Sequence, residues 1–478
     1  MAFSAAPGAE DVDVVVVGMG PGGEYVAGEL AAAGLSVVGV EARLVGGECP
    51  YYGCVPSKMM IRAGNALAEA RRVPGLAGRA EVHPDFAPVA VRIRDEATDD
   101  WDDAAAVKRF TDKGGRLVRG TGRLTGPRQV TVTRRDGVES TFRARRAVVL
   151  NPGTNPSIPN VPGLAGTPFW TNREAVQARH APASLIVHGG GAIAVELAQV
   201  FARFGTKVTV VARSALLSSD EPEAGKLLAR VFEEEGIDVL GNTDVTAVSH
   251  DATGFTVGLA SRPAPGTPPD DGVRHPFELQ AEALLLATGR TSALGALGLA
   301  SAGIPYDGRT PPPVDGHLQL ADGLYLVGDA AGGGAFTHMS MYQGNIVTGH
   351  ILGQDRGRTE GHAVPHVSFS DPEIGGVGLT EKAARAAGLS VRVGYTAMAD
   401  STRGWIHGPG NSGFIKVIQD ADTGALVGAT SAGPHGGEVL AMLTLAVHAR
   451  LPVATLKTMI YAYPTFHRAV AAALQGLD

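Results

Sequence analysis

Residues 11–43, DVDVVVVGMGPGGEYVAGELAAAGLSVVGVEAR, contain the pattern that decides the fold. A run of four valines leads into three glycines, Gly18, Gly20 and Gly23, and then into a helix of small residues. A second strand follows and ends at Glu41, 23 positions after the first glycine. The glycines let the backbone approach a pyrophosphate at the helix N-terminus, and the acid holds a ribose hydroxyl. The whole unit therefore predicts a dinucleotide-binding domain.

A second unit of the same kind occupies residues 184–214, SLIVHGGGAIAVELAQVFARFGTKVTVVARS. After its strand, Gly189, Gly191 and Ala194 take the three glycine positions. Two such units in one chain require two dinucleotides, and one of them is expected to be a flavin.

The two units differ at the end of their second strand. Where Glu41 stands in the first unit, the second has Ala212 followed by Arg213. No carboxylate repels a 2′-phosphate there, and an arginine can receive it. NADPH is therefore predicted over NADH, although Arg213 could also be a solvated residue at a strand end.

Composition bounds the protein class. The chain has 478 residues, too many for one core, so two to four domains are expected. Hydrophobic residues make up 44% and charged residues 19%, the balance of a soluble globular protein. A net charge of −7 argues against nucleic-acid or acidic-membrane binding. The first residues lack the pattern of a signal peptide, so a cytoplasmic location and no membrane segment are predicted.

The only two cysteines, Cys49 and Cys54, lie in GGECPYYGCVPSK at residues 46–58. In a reducing compartment they form a redox pair or are simply buried, and two thiols alone cannot complete a zinc site. On a regular helix residues five apart would lie roughly 8 Å from each other, too far for a disulfide. The prolines and Gly53 would distort that helix and could bring the sulfur atoms together.

Two further strands end in tight turns. LYLVGDAAGGGAF, residues 324–336, places Gly328 and Asp329 after an apolar run, where a carboxylate could meet a sugar or ribityl hydroxyl. ALLLATGR, residues 283–290, is a buried strand that ends at Gly289. The Pro/Gly-rich segment 261–272 is predicted to be a solvent hairpin.

In this order the segments resemble the flavin-dependent pyridine nucleotide-disulfide oxidoreductases, the family of glutathione reductase, dihydrolipoamide dehydrogenase and mercuric reductase. The resemblance runs over nearly the whole chain. It rests on the two fingerprints and on motifs at residues 46–58, 189–196, 287–290, 328–330, 368–381 and 411–438. The redox motif GG-x-C-x-x-x-x-GC-x-PSK is highly specific.

The resemblance implies an α/β fold with two Rossmann-like FAD- and NAD(P)-binding domains and a C-terminal α+β dimerisation domain. The expected domains are a first FAD-binding part at 10–155, an NAD(P)-binding domain at 156–280, a second FAD-binding part at 281–355 and a dimerisation domain at 356–478. A homodimer is implied, in which the C-terminal segment of one subunit completes the other's active site. The apolar stripe at 436–452 could serve that interface or an internal core.

The resemblance also implies residue roles. Cys49 would be the thiol exposed to substrate and Cys54 would lie against the flavin. Lys58 would lie near the reactive nitrogen of the flavin and would pair with Glu196, which would lie beside the nicotinamide. The remaining residues divide between the cofactors: Gly18, Gly20, Gly23, Glu41, Gly328 and Asp329 for FAD, and Gly189, Gly191, Glu196 and Arg213 for NADPH. Gly289 is a further expected cofactor-binding residue. No metal site is expected.

The C-terminus departs from the family pattern. Members that reduce disulfides carry His-Pro-Thr-x-x-Glu, whose histidine protonates the departing thiol, but residues 463–468 read Tyr-Pro-Thr-Phe-His-Arg. General acid-base help is worth roughly 10² to 10⁴ in rate, and tyrosine is a poor base at neutral pH. Tyr463 and His467 are the candidate replacements, and a helical turn would bring them together. Arg468 would instead bind an anionic substrate.

Two other departures, and one further loop, concern the pocket. Ala192 stands where several members have a tyrosine that gates the nicotinamide site, and Asn151 begins the turn that is usually Ala-Thr-Gly. In STRGWIHGPG, residues 401–410, Trp405 is expected to pack structurally rather than contact substrate.

The main prediction is an enzyme that passes electrons from NADPH through FAD to the Cys49–Cys54 disulfide and on to a small disulfide or other thiol-reactive acceptor. One alternative is a quinone-type reductase that acts directly at the flavin. Another is a redox-sensing flavoprotein without turnover, for which NADPH would bleach the flavin and no acceptor would be reduced. Mercury is disfavoured because the C-terminus has no further cysteines.

Overall fold

A computed structural model describes residues 8–262 and 276–477. The predicted hairpin at 261–272 lies, except for its first two residues, outside the described residues.

The described strands, in chain order, are β1 Glu10–Val17, β2 Val37–Glu41, β3 Arg116–Arg119, β4 Thr121–Gly126, β5 Gln129–Thr133, β6 Glu139–Leu150, β7 Thr154–Pro156, β8 Ser184–His188, β9 Lys207–Val211, β10 Asp238–Leu240, β11 Thr243–Asp251, β12 Gly254–Ser261, β13 Pro276–Ala281, β14 Ala283–Leu286, β15 Arg290–Ser292, β16 Gln319–Ala321, β17 Leu324–Leu326, β18 Pro365–Ser368, β19 Glu373–Gly378, β20 Val391–Ala397, β21 Phe414–Asp420 and β22 Leu426–Gly433.

The described α-helices are α1 Pro21–Ala32, α2 Glu48–Tyr52, α3 Cys54–Arg72, α4 Ala87–Arg92, α5 Ala104–Asp112, α6 Asn172–Gln177, α7 Ala192–Arg203, α8 Pro222–Glu234, α9 Thr337–Leu352, α10 Glu381–Ala386, α11 Thr402–His407, α12 Gly436–His448, α13 Val453–Lys457 and α14 His467–Gln475. Short 3₁₀ turns occur at Val73–Gly75, Leu294–Ala296, Leu299–Ala302, Gly328–Ala331 and Met398–Asp400, and one π turn at Ile93–Ala97.

The chain divides into two compact units. The first comprises Met1–Pro56, Arg94–Asn155 and Arg290–Gly361. Its main sheet has the order β16-β17-β6-β1-β2-β3, in which β17, β6, β1, β2 and β3 run parallel and β5 joins β4 to β6. The valine run of β1 lies at its centre.

That run is apolar on both sides because both faces of the sheet are covered. Val14 and Val16 pack with α1 residues such as Leu30. Val15 and Val17 pack on the opposite face, with residues of β4, β5 and β6. A central parallel strand buried on both faces needs continuous hydrophobicity rather than alternation.

The second unit comprises Ser57–Ile93, Pro156–Gly289 and His362–Asp478. It contains a parallel sheet of order β10-β9-β8-β14, an antiparallel sheet β11-β12-β13, and a five-stranded antiparallel sheet β18-β19-β22-β21-β20. The predicted α/β fold class, with two parallel nucleotide-type sheets and a C-terminal α+β part, is confirmed. The predicted NAD(P) and dimerisation segments fall in one unit, and the four-part domain division stays a prediction.

The apolar stripe at 436–452 is used inside the chain. Val439, Leu440 and Leu443 of α12 are buried in the core of the five-stranded sheet. Of the two possibilities left open by the sequence, the internal core accounts for these residues, while Leu445 on the same helix is exposed.

No helix among residues 8–262 and 276–477 is both long enough and apolar enough to span a membrane.

Candidate active site

The two cysteines are brought together by a break between two helices. Cys49 lies in α2, Gly53 leaves the helical conformation (φ −125°, ψ −113°), and Cys54 begins α3. They are not joined by a disulfide, and their side chains share a hydrogen bond. This hydrogen bond, followed by burial, raises the pKa of the Cys49 thiol. The predicted distortion at Gly53 is therefore present, and the two thiols lie within hydrogen-bonding distance of each other.

Thr337 is a neighbour of this pair that the sequence did not single out. Its Oγ1 lies 3.4 Å from the Cys54 Sγ, and it is the first residue of α9. Its hydroxyl also hydrogen-bonds Cys49 and thereby opposes the rise of the pKa of that thiol. In the chain alone Cys54 is exposed and Cys49 is half-buried.

The glycines before the cysteines pack against the first fingerprint. Gly46 and Gly47 have φ values of +104° and +69°, which favour glycine. A Cβ on Gly47 would lie only 2.9 Å from the Cα of Gly20. The redox segment therefore lies directly on the turn that precedes α1.

The first fingerprint forms a cradle that side chains would fill. Gly18 has φ +92°, and a Cβ there would lie 2.1 Å from the carbonyl oxygen of Asn151. A Cβ on Gly23 would lie 2.0 Å from the carbonyl oxygen of Gly18. Gly20 precedes α1 without a side-chain cap, so the first turn of the helix is available to an anion. These residues fit the pyrophosphate of FAD.

Asn151 explains how the unusual turn is accommodated. With its amide oriented to satisfy its neighbours, its oxygen accepts from the Gly23 N–H at 3.0 Å and its nitrogen donates to the Val327 carbonyl at 3.2 Å. The side chain thus ties the ends of β6 and β17 to the fingerprint helix.

Two carboxylates, Glu41 and Asp329, lie at or just after the ends of parallel strands in the same sheet as the first fingerprint. Glu41 accepts hydrogen bonds from the backbone N–H groups of Met19 (2.8 Å) and Arg43 (2.7 Å), while burial raises its pKa. Asp329, next to Gly328, accepts from the Thr154 hydroxyl at 2.9 Å. Each carboxylate keeps acceptor capacity for a hydroxyl.

Arg290 supports this region and was missed by sequence reasoning. It follows Gly289, whose φ is +112°. Its guanidinium donates to the Thr154 hydroxyl at 2.6 Å, and that hydroxyl is bonded to Asp329. Because Thr154 and Arg290 lie 136 positions apart, no local pattern could reveal this chain of contacts.

Lys58 and Glu196 form an ion pair with an N–O distance of 2.8 Å. The other Glu196 oxygen accepts from the backbone N–H of Phe369 at 2.8 Å. The Lys58 ammonium lies 4.6 Å from the centre of the Phe369 ring. The Glu196 side chain is only 7% exposed, so this pair is held in place by burial and by two contacts with Phe369.

The second fingerprint repeats the first. Gly189 has φ +143°, and a Cβ there would lie 2.2 Å from the carbonyl oxygen of Ala287. Gly191 precedes α7 without a side-chain cap, and no atom lies within 4 Å of where its Cβ would stand. Ala192 is exposed at the first position of α7, and Arg213 is exposed beyond β9. These residues fit a dinucleotide phosphate.

The C-terminal segment corrects one expectation. Helix α14 begins at His467, and residues 463–466 before it form turns rather than a helix. The prediction that a helical turn carries Tyr463 and His467 together is therefore wrong. Tyr463 is 69% exposed, and its hydroxyl lies 3.5 Å from the Thr402 Oγ1.

The 401–410 loop packs against the same segment, but not through Trp405. The Arg403 guanidinium lies 5.4 Å from the ring centre of Phe466, and the His407 ring lies 5.9 Å from it. Trp405 is 76% exposed in this chain, so the expectation that it packs structurally is wrong.

Comparison with known proteins defines the class. The pyridine nucleotide-disulphide oxidoreductase family model matches residues 12–344, and its dimerisation-domain model matches residues 364–474. The chain belongs to the pyridine nucleotide-disulphide oxidoreductases. It is a flavin-dependent enzyme that uses FAD and NAD(P)H, as predicted, and the dimerisation domain supports a homodimer.

Individual proteins similar to this chain support the same family assignment. A dihydrolipoyl dehydrogenase of Thermus scotoductus is 31% identical over 97% of this chain and 97% of its own length. A mercuric reductase of Shewanella putrefaciens is 29% identical over 95% of this chain and 78% of its own length. The fold is also that of a flavoprotein disulfide reductase, RclA of Escherichia coli, with a TM-score of 0.83 and 24% identity over 98% of this chain and 100% of that one.

Proposed function

We propose that this enzyme passes electrons from NADPH through FAD to a disulfide formed by Cys49 and Cys54, and from the reduced pair to a small thiol-reactive acceptor. The observation that carries this proposal is the helix break at Gly53, which holds the two side chains in a shared hydrogen bond. A thiol pair held in this way can close to a disulfide without large backbone movement.

FAD, when bound, would take a hydride from the nicotinamide and return an electron pair to the disulfide. The protein would supply position and charge. Gly18, Gly20 and Gly23 would admit the pyrophosphate, and Glu41 and Asp329 would accept from its hydroxyl groups. Lys58 would supply one positive charge on the helix that begins at Cys54, one turn after the thiol, and Glu196 would hold its ammonium group in place.

Arg213 supports the choice of NADPH. It is exposed two residues after β9, and it directly follows Ala212, which stands at the position where the first unit has the carboxylate of Glu41. Gly189 and Gly191 would admit the pyrophosphate at the start of α7, and Arg213 would pair with the 2′-phosphate.

The acceptor is proposed to be a disulfide or another thiol-reactive molecule. Some relatives are mercuric reductases, but this chain offers only two cysteines to any metal. Tyr463 and His467 are the proposed proton carriers for the departing thiol, in a segment anchored by the contact between Arg403 and Phe466. The cytoplasmic location stays a prediction.

One observation favours a second candidate, a quinone-type reductase. Ala192 is exposed at the start of α7, one turn before Glu196, where several members of the family have a gating tyrosine. A methyl group covers little of the nicotinamide site, so a planar acceptor could enter after the oxidised nucleotide leaves. Such an acceptor would need neither cysteine.

The deciding experiment measures NADPH-dependent turnover of disulfides, quinones and metal ions by the wild type and by Cys49→Ser. The relay predicts that Cys49→Ser retains its FAD and its reduction by NADPH but loses at least about 100-fold in turnover of the best acceptor, because a covalent step is removed. Full activity of Cys49→Ser with that acceptor would overturn the relay and favour the quinone-type reductase.

A further inference from the structure

His188 is a buried histidine that the proposed mechanism does not use. It is the last residue of β8 and lies between Val211 of β9 and Leu286 of β14 in the parallel sheet. His188 is only 6% exposed, and the three residues before it, 185–187, are apolar. An imidazole at the end of an apolar central strand costs desolvation energy, so its presence calls for an explanation.

Backbone hydrogen bonds gather charged side chains around this strand end. The N–H of Gly189, next to His188, donates to the Val211 carbonyl at 2.9 Å. The N–H of Thr243 donates to the Ala212 carbonyl at 3.0 Å, which brings the start of β11 beside the turn that carries Arg213. The end of β8, the end of β9 and the start of β11 therefore converge.

The charged groups that act on His188 are few. Arg213 follows β9, and Asp244 is the second residue of β11. Arg262, which follows β12, lies 3.5 Å from the Asp244 carboxylate. On the other side the neighbouring strand β14 offers the apolar Leu286. The Arg213 guanidinium and the Asp244 carboxylate therefore act on the imidazole in opposite directions, and Arg262 partly neutralises that carboxylate.

This environment keeps the ring neutral when no ligand is bound. The pKa of His188 is lowered to about 4. Burial is the largest cause, the positive charge of Arg213 adds to the lowering, and the negative charge of Asp244 opposes it. A dianion placed beside the ring would act in the opposite direction and favour the protonated form.

We propose that His188 is a specificity-determining residue that, together with Arg213, receives the 2′-phosphate of NADPH, while Arg262 keeps the Asp244 carboxylate paired. This inference rests on the proposed use of NADPH and adds a second recognition group to it. His188 takes one proton from solvent as the phosphate binds, so recognition of the 2′-phosphate strengthens as the pH falls toward neutrality. No covalent step is involved.

The test is calorimetric and uses the FAD-loaded enzyme as isolated. The ligands are 2′,5′-ADP and 5′-AMP, which differ in the 2′-phosphate, and each is titrated in buffers of different ionisation enthalpy at about pH 7.5. At that pH a phosphate monoester, with a second pKa of about 6, is already mostly dianionic. Net proton uptake therefore reports on the protein.

For the wild type we expect uptake of roughly 0.3 to 1 proton with 2′,5′-ADP, because a nearby dianion can shift a histidine pKa by several units, and none with 5′-AMP. His188→Val should weaken 2′,5′-ADP binding about tenfold, the loss of one charge-assisted hydrogen bond, and should leave 5′-AMP binding unchanged. The matched control is His180→Val, an exposed histidine near the opposite end of β8.

The outcomes separate the two claims. If the wild type binds both ligands equally, the NADPH proposal fails and this inference fails with it. A second outcome overturns only the role of His188. In it the wild type prefers 2′,5′-ADP and Arg213→Glu abolishes that preference, but the wild type takes up no proton and His188→Val still prefers 2′,5′-ADP. The proton count on the wild type needs no variant, so a His188→Val protein that does not fold still leaves the inference testable.

Discussion

The two dinucleotide units of this protein share one backbone arrangement and differ at the end of their second strand. In each, the first glycine lies against the carbonyl that follows a neighbouring parallel strand: Gly18 against Asn151 and Gly189 against Ala287. In each, the second glycine, Gly20 or Gly191, precedes a helix without a side-chain cap. The first glycine of each unit is therefore repeated because the backbone at this position leaves no room for a side chain.

The differences lie in the third glycine and in the strand end. Gly23 is required because its own turn folds back onto the Gly18 carbonyl, whereas the corresponding Ala194 is fully buried and accommodated. Glu41 is bound by two backbone N–H groups, whereas the second unit has Ala212 and the exposed Arg213. The difference at the third position is therefore steric, whereas the difference at the strand end is one of charge.

The largest effect is expected from alanine at the first glycine of each unit. Strain from the positive φ alone is about 1–3 kcal/mol, and a clash with a backbone carbonyl adds to it. Gly18→Ala should be purified largely without flavin, measured by the absorbance ratio of flavin to protein. Gly189→Ala should keep its flavin but lose roughly 100-fold or more in NADPH affinity. A fully yellow Gly18→Ala protein would break the comparison.

An intermediate effect is expected at the strand end. Arg213→Glu should raise the KM for NADPH by about 10- to 100-fold, because one charge-assisted contact is lost and repulsion is added, and should leave the KM for NADH within about threefold. Arg230→Glu, the same change of charge at an exposed position on α8, is the control for net charge. Equal KM values for both nucleotides in the wild type would contradict the assignment.

The smallest effect is expected at the third position. Ala194→Gly should lower the free energy of unfolding by only about 1 kcal/mol, the ordinary cost of glycine in a helix, with the KM for NADPH within about twofold of the wild type. Thermal unfolding and steady-state kinetics measure both. If Ala194→Gly lost nucleotide binding as severely as Gly189→Ala, the second unit would require alanine at position 194, which would contradict the comparison.

Much of the site could be predicted because its signals are local. The glycine spacings, the acid at the strand end and the two cysteines around Gly53 each lie within a few dozen residues, and the resemblance supplied the pairing of Lys58 with Glu196. The wrong prediction of a helical turn from Tyr463 to His467 overlooked Pro464, because the residue before a proline is disfavoured in a helix.

The remaining features depend on contacts between distant segments. Thr337 lies 283 positions from Cys54, and Asn151 lies 133 positions from Gly18. His188 reads in the sequence as one residue of an apolar strand, and only the convergence of β8, β9 and β11 gives it charged neighbours. No periodicity or spacing encodes such contacts.

The central claim is that electrons from NADPH reach the Cys49–Cys54 pair. The most direct test is an anaerobic titration of the oxidised enzyme with NADPH, followed by flavin absorbance, in the wild type and in Cys49→Ser. One flavin and one disulfide each accept an electron pair, so the wild type should consume about two equivalents per chain and Cys49→Ser about one. Consumption of about one equivalent by both proteins would contradict the account.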